Sequence, residues 1–322
     1  MTKRELVTKV LNGEATPITP SCFSLHFPQE DKFGERTIKA HLQFFKDTDT
    51  DIIKIMNENA FPANPGVYSA IDFKRLRVQD SKSAFVQNQV DLVKAILDKA
   101  DKDRYPMCTI QGVIASLGHS MRPQYQPLAE IRALQCKCYR ENPQILKDAV
   151  SRVTESLCYL VRAVIEAGCD SIFYAVLGGE KNCFTREEAE DIQAPFDKAV
   201  IEAARQAGGK VILHLCKSNL DFERFASYGP YIDGINWGVY ENSIPLEDGI
   251  KLFPGKTILG GLEHRSGIIK DGSFDEIKNE IHSIRKRMKD TPFILGADCT
   301  LATDQDRCKI KAAVEAARDI IQ

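Results

Sequence analysis

The sequence predicts an α/β fold: a single (β/α)8 TIM barrel spanning residues 1–322. Three observations predict it. Eight short β-branched runs alternate with longer segments of helical periodicity. The runs are apolar on both faces, as parallel strands covered by helices must be. No Gly-rich nucleotide loop follows the first run, which reads Cys22-Phe-Ser-Leu-His-Phe, so the doubly wound open sheet takes second place.

The elements follow in order. A helix over 4–12 precedes the first strand, 19–25. The second strand, 52–56, and the third, 107–111, enclose a long insertion over 60–102, and a second long loop, 115–145, follows strand three. Asn142-Pro143 then opens a helix, with Asn as the cap and Pro in the first turn. Val150, Val153, Leu157, Leu160, Val161 and Val164 recur along it at helical spacing, and Gly168 stops it before strand four, 171–176. Thr185-x-x-Glu188 reads as a capping box. Pro195 predicts a break, so this region should form two helical pieces before Gly208-Gly209 and strand five, 210–215. Strands six (231–237), seven (256–260) and eight (292–296) follow, with helices over 274–288 and 304–321.

Composition excludes several function classes. Lys+Arg total 43 and Asp+Glu 45, a net charge of −2, which argues against a nucleic-acid binder. A hydrophobic content of 43% can fill a core, so the chain is not of disordered type. No apolar run is long enough to span a membrane, and MTKRELVTKVLNGE has no secretory apolar region. The expectation is a cytoplasmic chain whose ten cysteines stay reduced. Most of them, including Cys158, Cys169 and Cys308, read as small buried fillers. Cys136 and Cys138 point apart on a helix and are poor joint ligands.

In a barrel, functional groups gather at the C-terminal strand ends. Strand five ends in His214-Leu-Cys216, whose alternate residues face one side, and Cys299 follows strand eight. One imidazole and two thiolates suit Zn²⁺, and three protein ligands with an open fourth position describe a catalytic site. Glu241 and Glu263, just beyond neighbouring strands, are the candidates for a fourth ligand. A zinc held by two thiolates is a modest Lewis acid but keeps a thiol deprotonated, so thiol alkylation by a methyl donor is the natural chemistry; hydrolysis through a bound water is the other. The remaining strand ends nominate His26, Asn57, Asn59, Gln111, Tyr174, Asn236, Trp237, His264 and Arg265 as pocket residues. Asp298 is placed to orient His214 from behind.

At these residues the chain resembles the uroporphyrinogen decarboxylase superfamily, in its zinc-dependent methylcobamide:thiol (coenzyme M-type) methyltransferase branch. It is also similar to the catalytic half of cobalamin-independent methionine synthase. The resemblance runs through RELVTKVLNGEATPITP, CDSIFYAVLGGEKNCFTREEAEDIQAPFDKAVIEAA, KVILHLCKSNL, YIDGINW, ILGGLEHRSG and FILGADCTLATD. It implies a single barrel, zinc on His214, Cys216 and Cys299, a methylated corrinoid as methyl donor and a corrinoid protein as partner. Coenzyme M, homocysteine, another small thiol and tetrahydrofolate all remain open as acceptor. The decarboxylase branch carries an Arg-rich segment after strand one and an Asp after strand two. Here SLHFPQEDKFGER has no Arg before Arg36, and Asn57 and Asn59 stand after strand two. A decarboxylase-like lyase and a non-catalytic corrinoid- or tetrapyrrole-binding barrel are the alternatives. The chain also departs from the methyltransferase pattern. Glu241 is displaced in NWGVYEN, and Glu263 stands in GGLEHRSG where relatives often have Asp.

Overall fold

The computed structural model describes residues 1–64, 66–121 and 127–320. Its strands are β1 (Ser21–Cys22), β2 (Ile52–Ile55), β3 (Tyr105–Gln111), β4 (Ser171–Val176), β5 (Lys210–Leu215), β6 (Gly234–Trp237), β7 (Thr257–Leu262) and β8 (Phe293–Ala297). All pairs are parallel, in the order β1-β8-β7-β6-β5-β4-β3-β2. The two ends meet. The Asp51 amide donates to Ser21 O at 3.2 Å, and the Asp51 carboxylate accepts from the Ser21 amide at 2.9 Å and hydroxyl at 2.6 Å. The result is a nearly closed barrel with helices between the strands.

Strand periodicity sorts the side chains into two cores. Alternate residues point inward, and Cys22, Ile52, Tyr105, Met107, Phe173, Ile212, Leu259 and Ile294 fill the lumen. The helix Lys3–Leu11, capped reciprocally by Thr2 and Glu5, adds Val7, Val10 and Leu11 to that cluster and so plugs the N-terminal end. Arg4 grips Asp170 with two bonds of 2.5–2.6 Å to hold the plug in place. The opposite strand faces pack on the outer helices, chiefly Pro143–Glu166, whose Asn142 cap and first-turn Pro match the sequence reading. One contact requires glycine: a Cβ on Gly249 would lie 2.0 Å from the Trp237 ring, so only glycine lets the helix Leu246–Leu252 close on β6.

The structure refines several expectations. The first strand shortens from 19–25 to two residues, because Pro20 has no amide to donate and the chain beyond Cys22 touches β8's continuation only at Leu25–Leu301. The sixth begins at Gly234 and not at 231, because a 3₁₀ segment, Phe222–Tyr231, containing Pro230 occupies the approach. Pro195 does divide its region into Arg186–Ile192 and Ala194–Gln206. The insertion after β2 holds a 3₁₀ turn, Ala70–Arg75, and the helix Ala84–Lys99; the loop after β3 holds Val113–Met121 and Leu128–Glu141, and its residues 122–126 lie outside the described residues. Cys308 is exposed and Cys158 half-buried. Cys308 sits in the first turn of Arg307–Arg318, off the face that buries Ile310, Ala313, Val314, Ala316 and Ala317. Among the described residues no helix is long and apolar enough to cross a membrane.

Candidate metal centre

β5 carries His214 in its lumen-facing register and then delivers Cys216, whose amide is tied to Val176 O at 3.0 Å. β8 ends at Ala297, and the Asp298 amide bonds Leu262 O at 2.8 Å, which fixes the turn that presents Cys299. Cys299 Sγ lies 3.5 Å from His214 Nε2 and 4.0 Å from Cys216 Sγ. All three donor atoms fall within 4.8 Å of one another. With metal–sulfur bonds of about 2.3 Å and metal–nitrogen bonds of about 2.0–2.1 Å, a tetrahedral zinc spans sulfur–sulfur edges of about 3.8 Å and sulfur–nitrogen edges of about 3.5 Å. The donor types and both edges fit that ion.

The chemistry of the pair is unequal. The Cys299 thiol is pulled well down, first by the hydrogen bond with Cys216 and then, against burial, by the facing His214 imidazole. Cys216 is pushed well up by the same contact and by burial. The two thiols are linked through one contact, and a cation between the sulfurs would expel the protons of both.

His214 is held by packing. Its ring stacks on Phe173, centroids 4.9 Å apart and planes at 24°, while its buried Nδ1 has no hydrogen-bond partner among the described residues. This corrects the expected role of Asp298. Its carboxylate does not bond His214; Oδ2 accepts from the Tyr240 amide at 2.8 Å, capping the turn Val239–Asn242, and Oδ1 is buried without a hydrogen-bond partner among the described residues. Burial, with Glu263 and Glu241 nearby, raises the Asp298 carboxyl to about 7.

The two candidate fourth ligands flank His264, which is buried: Glu241 Oε1 lies 3.7 Å from its Nε2 and Glu263 Oε1 3.7 Å from its Nδ1. Among the described residues neither carboxylate joins the cluster of three donors. Glu263 is engaged in its own turn, accepting from the Arg265 amide at 3.0 Å and from the Ser266 amide, and these donors outweigh burial to hold its carboxyl low. Glu241 is the freer of the two and interacts electrostatically with Cys216.

The profile of the uroporphyrinogen decarboxylase (URO-D) family matches residues 53–320. The chain belongs to the uroporphyrinogen decarboxylase family. Among solved structures it is similar to a methyltransferase from Methanosarcina mazei, at a TM-score of 0.72 and 15% identity over 98% of both chains. It is also similar to a B12-independent methionine synthase from Shewanella sp. W3-18-1, solved in complex with selenomethionine (TM-score 0.58, 14% identity, 95% of this chain and 97% of that one). A putative vitamin-B12-independent methionine synthase from Listeria monocytogenes aligns with a TM-score of 0.58 at 13% identity, over 95% and 99%. These likenesses share the barrel fold along almost the whole length of the chain. No curated protein matches the chain.

Within this URO-D barrel the other nominated residues divide. His26, half-exposed, pairs with Glu58 at 2.6 Å, and Lys32 approaches the same carboxylate at 3.4 Å. Asn57 accepts from the Asn59 amide and Asn59 donates to Gln89, so both tie down the loop after β2. Gln111 ends β3 on the lumen-facing register, half-buried. Asn236 is fully buried beside His214 in register, and its Nδ2 stitches Leu259 O to Ala297 O. Arg265 is exposed. Two residues do not line the mouth. Tyr174 faces outward, its hydroxyl 2.5 Å from Asp197 Oδ1 on the helix Ala194–Gln206. Trp237 also faces outward, fully buried against Phe222, with Nε1 donating to Ile244 O. Each lies one position off an inward-facing residue of its strand, Phe173 in β4 and Asn236 in β6, and the register of those strands turns both outward. The sequence reading assigned neither Phe173 nor Lys54 to the site. The available signal was a lone Lys in the apolar run Ile-Ile-Lys-Ile.

Proposed function

We propose that this chain is a zinc-dependent methyltransferase that moves a methyl group from a methylated corrinoid, free or on a partner protein, to a small thiol. The observation that carries the reading is the convergence of His214 Nε2, Cys216 Sγ and Cys299 Sγ at the C-terminal end of the barrel. Zinc bound there would keep an incoming thiol deprotonated, and the thiolate is the nucleophile. His214 supplies the neutral donor, its ring plane set by Phe173. Cys299 and Cys216 supply the anionic donors; both are partly exposed, which leaves the approach to the site open. Glu241 is the chain's own carboxylate best placed to sit near the open position before substrate arrives.

Other features agree. Methyl transfer is what the Methanosarcina neighbour's name describes, and methionine synthesis what the other two describe. The basic side chains of the loop between β1 and the helix Gly34–Thr48, His26 and Lys32, are both engaged by Glu58, unlike the cationic clamp a polycarboxylate substrate needs. Phe33, Tyr68 and Tyr240, all more than half exposed, lie in segments that follow β1, β2 and β6, where a docked corrinoid domain would cover them.

The test is thioether formation. Zinc-loaded protein is incubated with methylcobalamin and, separately, coenzyme M and homocysteine, and products are read by mass spectrometry. A methyl thioether from at least one thiol, abolished in His214→Ala, is expected. Absence of any thioether from protein holding one zinc per chain would overturn the reading.

A further inference from the structure

A cation lies inside the barrel near the candidate site. Lys54 occupies a lumen-facing position of β2 and is only 5% exposed. Its Nζ sits 3.5 Å from the centroid of Phe173, the ring that stacks on His214. Among the described residues the ammonium has no hydrogen-bond acceptor and no carboxylate partner. Burial pulls the pKa of Lys54 down, and the groups that oppose this and favour its charged form are the thiols of Cys22, Cys299 and Cys216.

A buried charge normally has a counter-charge, and an unpaired one is costly. Cys22 does not provide it, because burial pushes that thiol up to about 11 and it stays neutral. In the zinc-loaded site the other two sulfurs are already committed. A divalent cation, two thiolates and a neutral imidazole sum to zero, so a neutral fourth ligand leaves Lys54 uncompensated. An anionic fourth ligand balances it.

Resting on the zinc reading above, we propose that Lys54 is a positioning residue that selects an anionic fourth ligand, its ammonium balancing the charge an incoming thiolate brings to the site. It makes no bond to the substrate carbon and takes no proton. Its effect is on the equilibrium for thiolate entry. The steps from Nζ to the Phe173 centroid, 3.5 Å, and from that ring to His214, 4.9 Å, put the ammonium on the order of 6–8 Å from the site, and a unit charge at that range and an effective dielectric of about 20 shifts an equilibrium by roughly 30- to 100-fold.

The experiment uses the full chain loaded with cobalt(II), whose visible spectrum reports the ligands. Two probes enter the fourth position: 2-mercaptoethanol, anionic only through its sulfur, and imidazole, which is neutral. In Lys54→Met the dissociation constant for 2-mercaptoethanol should rise roughly 30- to 100-fold while that for imidazole moves less than about threefold. Lys54→Arg should restore most of the thiol affinity, and cobalt stoichiometry should be the same in all three proteins. Lys54→Gln, neutral and polar, repeats the comparison should the Met variant fail to fold. Unchanged thiol affinity in the neutral variants, or equal weakening of both probes, would overturn the inference. No thiolate-to-cobalt band in the native protein would instead overturn the metal–thiol reading on which it rests, and the native sample alone shows which has failed.

Discussion

Replacing Cys216 by serine removes one corner of the donor triangle and leaves the 3.5 Å edge between Cys299 Sγ and His214 Nε2. Zinc at about 1,000 times its Kd stabilises the native chain by about 4 kcal/mol. Unfolding entropy near 2.1 cal/mol/K per residue gives about 0.7 kcal/mol/K for this chain, so saturating zinc should raise Tm by about 6 °C. The serine hydroxyl stays protonated near neutral pH, and two donors hold zinc poorly. Loss of an outer partner of a ligand typically costs about 10- to 100-fold in metal affinity, so loss of a ligand itself should cost at least about 100-fold. At the same zinc concentration the stabilisation then falls to about 1.4 kcal/mol or less, and the shift in Tm to about 2 °C or less. Scanning calorimetry with and without zinc measures the shift, and plasma mass spectrometry measures the metal. The metal-free Tm should change little, because Cys216 is partly exposed and lies outside both apolar cores. A C216S protein that keeps one zinc per chain and the full shift would refute the argument.

Two further outcomes test the surrounding structure. His41 is buried with Nδ1 bonded to Thr37 O at 2.7 Å and Nε2 accepting from the Met56 amide at 3.0 Å, and burial lowers its pKa to about 4. The unfolded chain therefore binds a proton between about pH 6.5 and 4 that the native chain does not. Metal-free stability should fall by about 3 kcal/mol through this group as pH drops across that window, and urea titrations of His41→Gln should lack that part of the fall. Tyr174→Phe should cost about 1–3 kcal/mol in urea unfolding, because it removes one partner of the buried Asp197 carboxylate, yet leave zinc stoichiometry intact. Loss of metal in that variant would return Tyr174 to the site.

The fold was legible because it depends on pattern. Short doubly apolar runs between amphipathic segments leave few ways to bury both faces of a strand. The local punctuation was equally readable. Thr185 and Glu188 cap as their spacing requires, and Pro195 divides its helix, because caps and breaks act within a few residues. The donor triangle was legible for a similar reason: His214 and Cys216 share a strand face, and Cys299 follows a strand that ends at the same rim.

What the sequence left open was direction and partnership. Tyr174 and Trp237 sit at strand ends like true pocket residues, and only the register of β4 and β6 turns them outward. Asp298 adjoins Cys299 in sequence, yet the fold spends its carboxylate on the Tyr240 amide. Lys54 reads as an anomaly in a strand until closure of the barrel brings β2 opposite Phe173. Element type, order and donor chemistry were thus determined by the chain itself, since propensity and periodicity are local properties. The choice of which side chains meet across the lumen was decided by tertiary structure, because strand stagger and barrel closure join residues more than a hundred positions apart and no local signal encodes their contact.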